Sequence, residues 1–344
     1  MSTADLSKAT RELFVRSLVN QVYMQTPFVE DLQRRNQITY SGGTDVKRLI
    51  DTGEIDDIMQ EYTANTALQD QKKTTLAKPS FTMKLAQLPL RYDVDEQLQN
   101  IEAGNEEQLL DLASHLSSKG QRATKLWLNK KMFNAGSTTG ESDGGTKFQS
   151  LISALDHDST YGTLARSLSG GTNDYWQSAD PAGLVESITT SSQDTAANLT
   201  ISNLRKWINE TDIAHYMESV DDLYIMMCPT LFNKLRAEME GKMQYSAPKG
   251  DKASQGFNKM ELDGHTIVSE PYLQTTSTMK TWLFILNMRH WELRIHTSRN
   301  FKVTDFKWQG EQSNGFDFYL ARILIAGNLV NWKPNGNLWL SNVS

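Results

Sequence analysis

Leu262-Asp263-Gly264-His265-Thr266-Ile267-Val268, then Leu283-Phe284-Ile285-Leu286-Asn287, Leu293-Arg294-Ile295-His296 and Arg299-Asn300-Phe301 follow one another in the last third of the chain. Met260 to Val268 alternates around Asp263-Gly264. That dipeptide suits a two-residue hairpin loop, whose central positions both need positive φ. Trp282 to Leu286, Trp291 to Ile295, Phe301 to Phe306 and Phe316 to Val330 are rich in aromatic and aliphatic residues and read as further strands. Upstream, Leu223 to Cys228 is an unbroken apolar run. Such a run is expected of a strand covered on both faces. Pro229 then stands where a helix over Thr230 to Gly241 begins, a place proline favours because its missing N–H is not needed there.

Working outward, residues Asn105 to Phe133 carry the strongest helical pattern, with Leu109, Leu112, Leu116, Ala123 and Trp127 on one face. Glu106, Glu107 and Asp111 lie near its start, and Lys125, Lys130 and Lys131 near its end, which complements the helix dipole. Gly120 is a mild cost and a point of bending. Between Ile38 and Tyr92 a long two-stranded excursion is expected. Phe81, Met83 and Leu85 alternate with Thr82 and Lys84, and the parity shift at Leu88 and Leu90 predicts a bulge or strong twist. Such a hairpin is marginal without a partner surface. Leu6, Ala9, Leu13, Phe14, Leu18 and Val22 form an apolar stripe ahead of Pro27, which predicts a terminal helix that packs on the body or on a neighbour. Leu199 to Ile208 predicts another short amphipathic helix.

The 344 residues suffice for about two compact units. With 35 basic against 41 acidic residues and a net charge of −6, the chain as a whole lacks the basic character of a dedicated nucleic-acid binder. One cysteine, Cys228, excludes a disulfide framework and a multi-thiolate metal site. Met1 to Thr10 is polar, with Asp5 and Lys8, unlike a signal peptide. No apolar run approaches the ~20 residues of a membrane span, so a soluble cytosolic protein with no membrane partner is expected.

Motifs of chemistry are weak. Gly140-Glu141-Ser142-Asp143-Gly144 fits the nucleophile-elbow pattern, but no strand delivers Ser142 to a sharp turn, so an α/β hydrolase is a remote alternative. Gly140 to Lys147 resembles a phosphate loop with its Thr and Lys in reversed order. His290, Glu292, Arg294 and His296 are expected on one face of a strand, where Arg294 would oppose a metal ion. His115, His157, His215 and His265 are isolated in sequence, and Cys228 reads as a small core residue. Lys119, Arg122, Lys125, Lys130 and Lys131 are explained by dipole compensation and solvation, with contact to phosphates as the alternative. No catalytic, cofactor or metal set is therefore assigned.

An arm, a flap with little core of its own and an over-long helix suit a subunit whose neighbours supply the missing burial. The chain here resembles the major capsid proteins of tailed bacteriophages, the Hong Kong 97-like (Johnson) fold. The likeness rests on Thr26-Pro27-Phe28-Val29-Glu30 followed by Ser41-Gly42-Gly43-Thr44, on Leu151-Ile152 followed by Gly170-Gly171-Thr172 and Tyr175-Trp176, on Leu223 to Pro229 with the next helix, and most specifically on the segments quoted at the outset. It implies an α+β fold with an N-terminal arm over 1–39 and an extended flap (E-loop) over 40–94. A peripheral domain would comprise 95–190 and 299–344 with a spine helix at about 105–133, and an axial domain would comprise 191–298.

The function implied is that of a structural protein which self-assembles through hexamers and pentamers into an icosahedral shell around double-stranded DNA. Its place would be the virion, with assembly in the host cytoplasm. Implied partners are further copies of the chain, a scaffolding protein, a portal, a decoration protein, and packaged DNA contacted without sequence specificity. Another virion subunit, of tail tube or connector, is the nearest alternative. Leu13, Phe14 and Val22 in the arm and Lys72, Lys73, Phe81 and Met83 in the flap are the candidate subunit-interface residues. Some members of the family cross-link flap lysines covalently, and Lys72 and Lys73 lie in the corresponding element.

Overall fold

The computed structural model describes residues 26–52, 58–59, 61–62, 72–99, 112–133, 148–156, 160–166, 176, 198–209, 219–240, 259–309 and 317–344. The chain enters through α1 (Pro27–Arg34), in which Pro27 occupies the first turn. The terminal helix expected ahead of Pro27 lies outside the described residues, and Pro27 itself opens α1, since the first turn has no use for its missing N–H. Strand β1 (Ile38–Ser41) follows, then the short strands β2 (Asp45–Lys47), β3 (Ile50–Asp51), β4 (Leu76–Ala77) and β5 (Ser80–Thr82). Next come β6 (Lys84–Asp93), α2 (Val94–Gln99), α3 (Leu112–Met132), α4 (Leu151–Leu155) and α5 (Ile201–Asn209). The last part runs β7 (Leu223–Met227), α6 (Pro229–Glu240), β8 (Lys259–Leu262), β9 (His265–Ser269), β10 (Leu283–Asn287), β11 (Trp291–His296), β12 (Lys302–Val303), β13 (Lys307–Trp308), β14 (Phe318–Asn331) and β15 (Leu338–Leu340).

Two sheets organise these elements. A five-stranded sheet has the order β15-β10-β7-β9-β8. Every residue of β7 and β10 is buried, as the unbroken apolar runs require. Ile225, Met227, Leu283 and Ile285 face one core with Leu204 and Trp207 of α5 and Leu235 of α6. Tyr224, Met226, Phe284 and Leu286 face the other core, with Phe28, Phe133 and Trp291. The β8–β9 turn matches its sequence signal, with positive φ at Asp263 (53°) and Gly264 (86°). A bidentate ion pair crosses from Arg205 of α5 to Asp263, Nε to Oδ2 at 2.6 Å and Nη2 to Oδ1 at 2.8 Å.

The six-stranded sheet is built on β14, which pairs antiparallel with β6, β11, β12 and β13, while β1 adds parallel to β11. Helix α3 lies on this sheet. Gly120 marks the closest approach, since a Cβ there would stand 2.8 Å from methyl groups of both Leu90 and Ile323. This glycine serves packing of helix on sheet. Of the helix expected over 105–133, the part before residue 112 lies outside the described residues. At 1.5 Å per residue α3 is about 32 Å long.

After β7 the chain crosses between the two sheets twice, at the turns Met288–His290 and Pro334–Gly336. Consequently β11 belongs with β14, and β15 belongs with β10. A division at residues 298 and 299 cuts across both pairings. Asn337, fully buried, ties the crossings together. Its Oδ1 accepts from the Asn287 N–H and the Trp291 Nε1–H, both at 2.8 Å, and its Nδ2 donates to the carbonyls of Lys333 (2.9 Å) and Pro334 (3.2 Å).

Candidate functional site

Residues considered for chemistry are dispersed or engaged. Ser142, the rest of Gly140 to Lys147, His157 and His215 lie outside the described residues. On β11, Glu292, Arg294 and His296 alternate with buried Trp291, Leu293 and Ile295 as expected, while His290 ends the preceding turn. Arg294 Nη2 meets Glu292 Oε2 at 2.6 Å, so the carboxylate holds a cation of its own chain. The Nδ1 of His296 accepts from the Ser298 N–H at 3.2 Å. Among the described residues no three His, Cys, Asp or Glu side chains converge on one point. Cys228 is buried and its thiol donates to Gln274 Oε1 at 2.7 Å. A cleft of about 70 Å³ opens between α3 and the sheet, walled by Leu88, Thr124, Trp127, Ile323 and Ile325. It falls well short of the roughly 300 Å³ at which small-molecule sites begin.

Glu270, just past the end of β9, is an ionisable group that is completely enclosed. Its Oε1 accepts from Asn129 Nδ2 of α3 (3.3 Å) and from the Tyr272 N–H (3.2 Å), the Phe28 N–H of α1 lies near the carboxylate, and Oε2 has no hydrogen-bond partner. Burial outweighs these donors and pushes its pKa up to about 7. Sequence reading missed this residue because an acid before Pro271 looks like an exposed turn. Three elements therefore meet at one carboxyl. Elsewhere on α1, Asp31 is clasped by Arg34 and by Arg35 Nε at 2.6 Å.

The remaining candidate residues concern contacts between subunits. Strands β2 and β5 pair over three residues and β3 and β4 over two, which gives the root of the expected hairpin. Leu49, Leu76, Met59 and Tyr62 of this segment are exposed, Met59 at 86%. Lys72 and Lys73 are exposed on the returning side. Phe81 and Met83 differ from the expectation of subunit contact, because both are buried in the chain's own core. The Phe81 ring sits 4.8 Å from Tyr161 and 5.6 Å from Trp332, edge to face, and pins the hairpin root to the body. The strand pattern breaks at Met83, between β5 and β6, rather than at Leu88. Met83 and Lys84 are consecutively buried, so Leu85 turns outward and is 64% exposed. Leu13, Phe14 and Val22 lie outside the described residues. No helix among the described residues is long and apolar enough to cross a membrane.

No family model matches the chain, and no curated protein matches it by sequence. Solved structures do match. A subunit of the cyanophage A-1(L) capsid superposes with a TM-score of 0.70 at 14% identity, over 96% of each chain. A subunit of the native GTA particle capsid superposes at 0.55 and 9% identity over the whole of both chains. One from the mature capsid of bacteriophage PhiM1 superposes at 0.54 and 9% identity, over 96% of this chain and 91% of that one. The fold is α+β and Hong Kong 97-like, as the resemblance implied.

Proposed function

We propose that this chain is the major capsid protein of a tailed bacteriophage, which self-assembles into an icosahedral shell around double-stranded DNA. The observation that carries the reading is the whole-chain superposition on the cyanophage A-1(L) capsid subunit, over 96% of both chains. The exposed apolar residues of the hairpin support it. A two-stranded ribbon with little core of its own is stabilised by a surface supplied from outside. Neighbouring copies are the natural source in a closed lattice, where one patch meets its complement around each symmetry axis.

In this reading residues 1–39 form the arm and 40–94 the flap, whose returning strand β6 inserts into the six-stranded sheet. The axial unit is the five-stranded sheet with α5 and α6, and the peripheral unit is the six-stranded sheet with α3. Leu13, Phe14, Val22, Lys72 and Lys73 are the interface residues, and Phe81 and Met83 hold the flap in place. Hexamers and pentamers are the assembly units, with a scaffolding protein, a portal and a decoration protein as further partners. The subunit works in the virion after assembly in the host cytoplasm.

The test is expression of the chain alone and with a candidate scaffolding protein, followed by sedimentation and negative-stain microscopy. Closed shells or capsomer rings are expected. A monodisperse 38.9 kDa monomer under both conditions overturns the reading, and open tubes assign the chain to a tail.

A further inference from the structure

Helix α3 is out of keeping with the rest of this acidic chain. Between Leu112 and Phe133 there are five Lys and Arg residues and His115, with no Asp or Glu, in a protein of net charge −6. Two of the cations are accounted for. Lys125 Nζ meets Glu30 Oε1 at 2.9 Å, and Lys131 Nζ lies 6.0 Å over the Trp127 ring. Lys119, Arg122 and Lys130 are exposed, as are Ser118 and Gln121 beside the first two. At helical spacing, His115, Lys119, Arg122 and Lys130 project on one side, and Lys119 to Lys130 spans about 16 Å along the axis.

We propose that this ridge of α3 binds the phosphate backbone of double-stranded nucleic acid. The identity of the partner rests on the shell reading above.

The composition of the ridge favours nucleic acid over a protein. A protein interface is built round an apolar core, depleted of charge. Here the exposed polar side chains beside the cations, Ser118 and Gln121, are a small hydroxyl and an amide, which position phosphates without reading bases. Leu126, which falls between Arg122 and Lys130 at helical spacing, is half-buried. His115 reports the field: its proton affinity is lowered by burial and then by the nearby charges of Lys119 and Arg122. Each neutralised phosphate releases counterions, so three cations contribute about 3 to the slope of log affinity against log salt.

The experiment is binding of a short mixed-sequence DNA duplex to the purified full-length chain across a salt titration. The substitutions Lys119→Gln, Arg122→Gln and Lys130→Gln together are expected to flatten the slope by about 3 and to weaken low-salt binding about tenfold or more. Lys119→Arg with Lys130→Arg is expected to retain the wild-type slope, as is a set at exposed cations of the sheet, Lys302→Gln, Lys307→Gln and Arg322→Gln. Thermal midpoints check folding. Should the triple variant unfold, the single substitutions stand in for it, each expected to lower the slope by about 1. An unchanged slope in the Gln variants of α3, or an equal loss in the sheet variants, overturns the proposal. So does polyglutamate binding as tightly as the duplex, which assigns the ridge to an acidic protein. A wild-type slope that depends on α3 in a chain that forms no shells overturns the shell reading alone, whereas shells without that dependence overturn this proposal alone.

Discussion

Three buried residues carry more of the architecture than their types suggest. Glu270 has its pKa raised from 4.5 to about 7 by burial. A carboxyl raised in the folded state favours the protonated form, so its contribution is full below about pH 4.5. The contribution declines as pH rises to about 7 and is flat above. The loss across that window is about 3 kcal/mol. Glu270→Gln should abolish this slope and stabilise the protein at pH 8, measured by urea midpoints at pH 4.5 and pH 8. An equal loss of stability at both pH values would refute it. Asn337 satisfies two donors and two acceptors at the crossings between sheets. Asn337→Ala should cost about 3 kcal/mol or more, because those groups stay buried without their partner. Gly162 has a φ of +57°, and a Cβ there would stand 2.5 Å from the Phe81 ring. Gly162→Ala should therefore lower stability by about 2 kcal/mol or more, read as a fall in the thermal midpoint.

At the scale of elements, sequence reading succeeded wherever burial has a simple periodicity. Strands β7 and β10 announced themselves as continuous apolar runs because both their faces are covered. The alternation of β11 and the Asp263-Gly264 turn were equally plain. Assignments that depend on distant partners were not. Nothing local distinguishes an apolar residue buried in its own core, as Phe81 and Met83 are, from one awaiting a neighbour. Asn337 and Glu270 resemble solvated turn residues in sequence, since the partners that bury them stand far along the chain, Asn287 and Trp291 at 50 and 46 positions from Asn337 and Asn129 at 141 from Glu270. Helix α1 is held by Phe28, enclosed between Phe133 at 6.1 Å and Trp291 at 6.5 Å. Phe28→Ala should cost about 3–5 kcal/mol and loosen α1 first, which hydrogen exchange on residues 28–34 would register.

For the whole molecule, the body and the hairpin differ in what they need. The body has cores of its own on both faces of the five-stranded sheet. The hairpin shows a paired root of three and two residue pairs. Removing residues 55–75 leaves both ladders and the Phe81 anchor intact. That deletion should keep a cooperative thermal transition and abolish shells, with microscopy and calorimetry as the paired measurements. Normal shells from the truncated chain would count against the role given to the flap.

The 14-residue β14 is bonded to β6 along ten consecutive residue pairs. A pull along that strand loads every rung of the ladder at once, whereas a pull across its end peels the rungs one by one. The subunit is thus stiff along one direction and weak along another. In a wall stretched by the pressure of its contents, the orientation of β14 would decide whether the protein bears tension as a cable or opens like a zip.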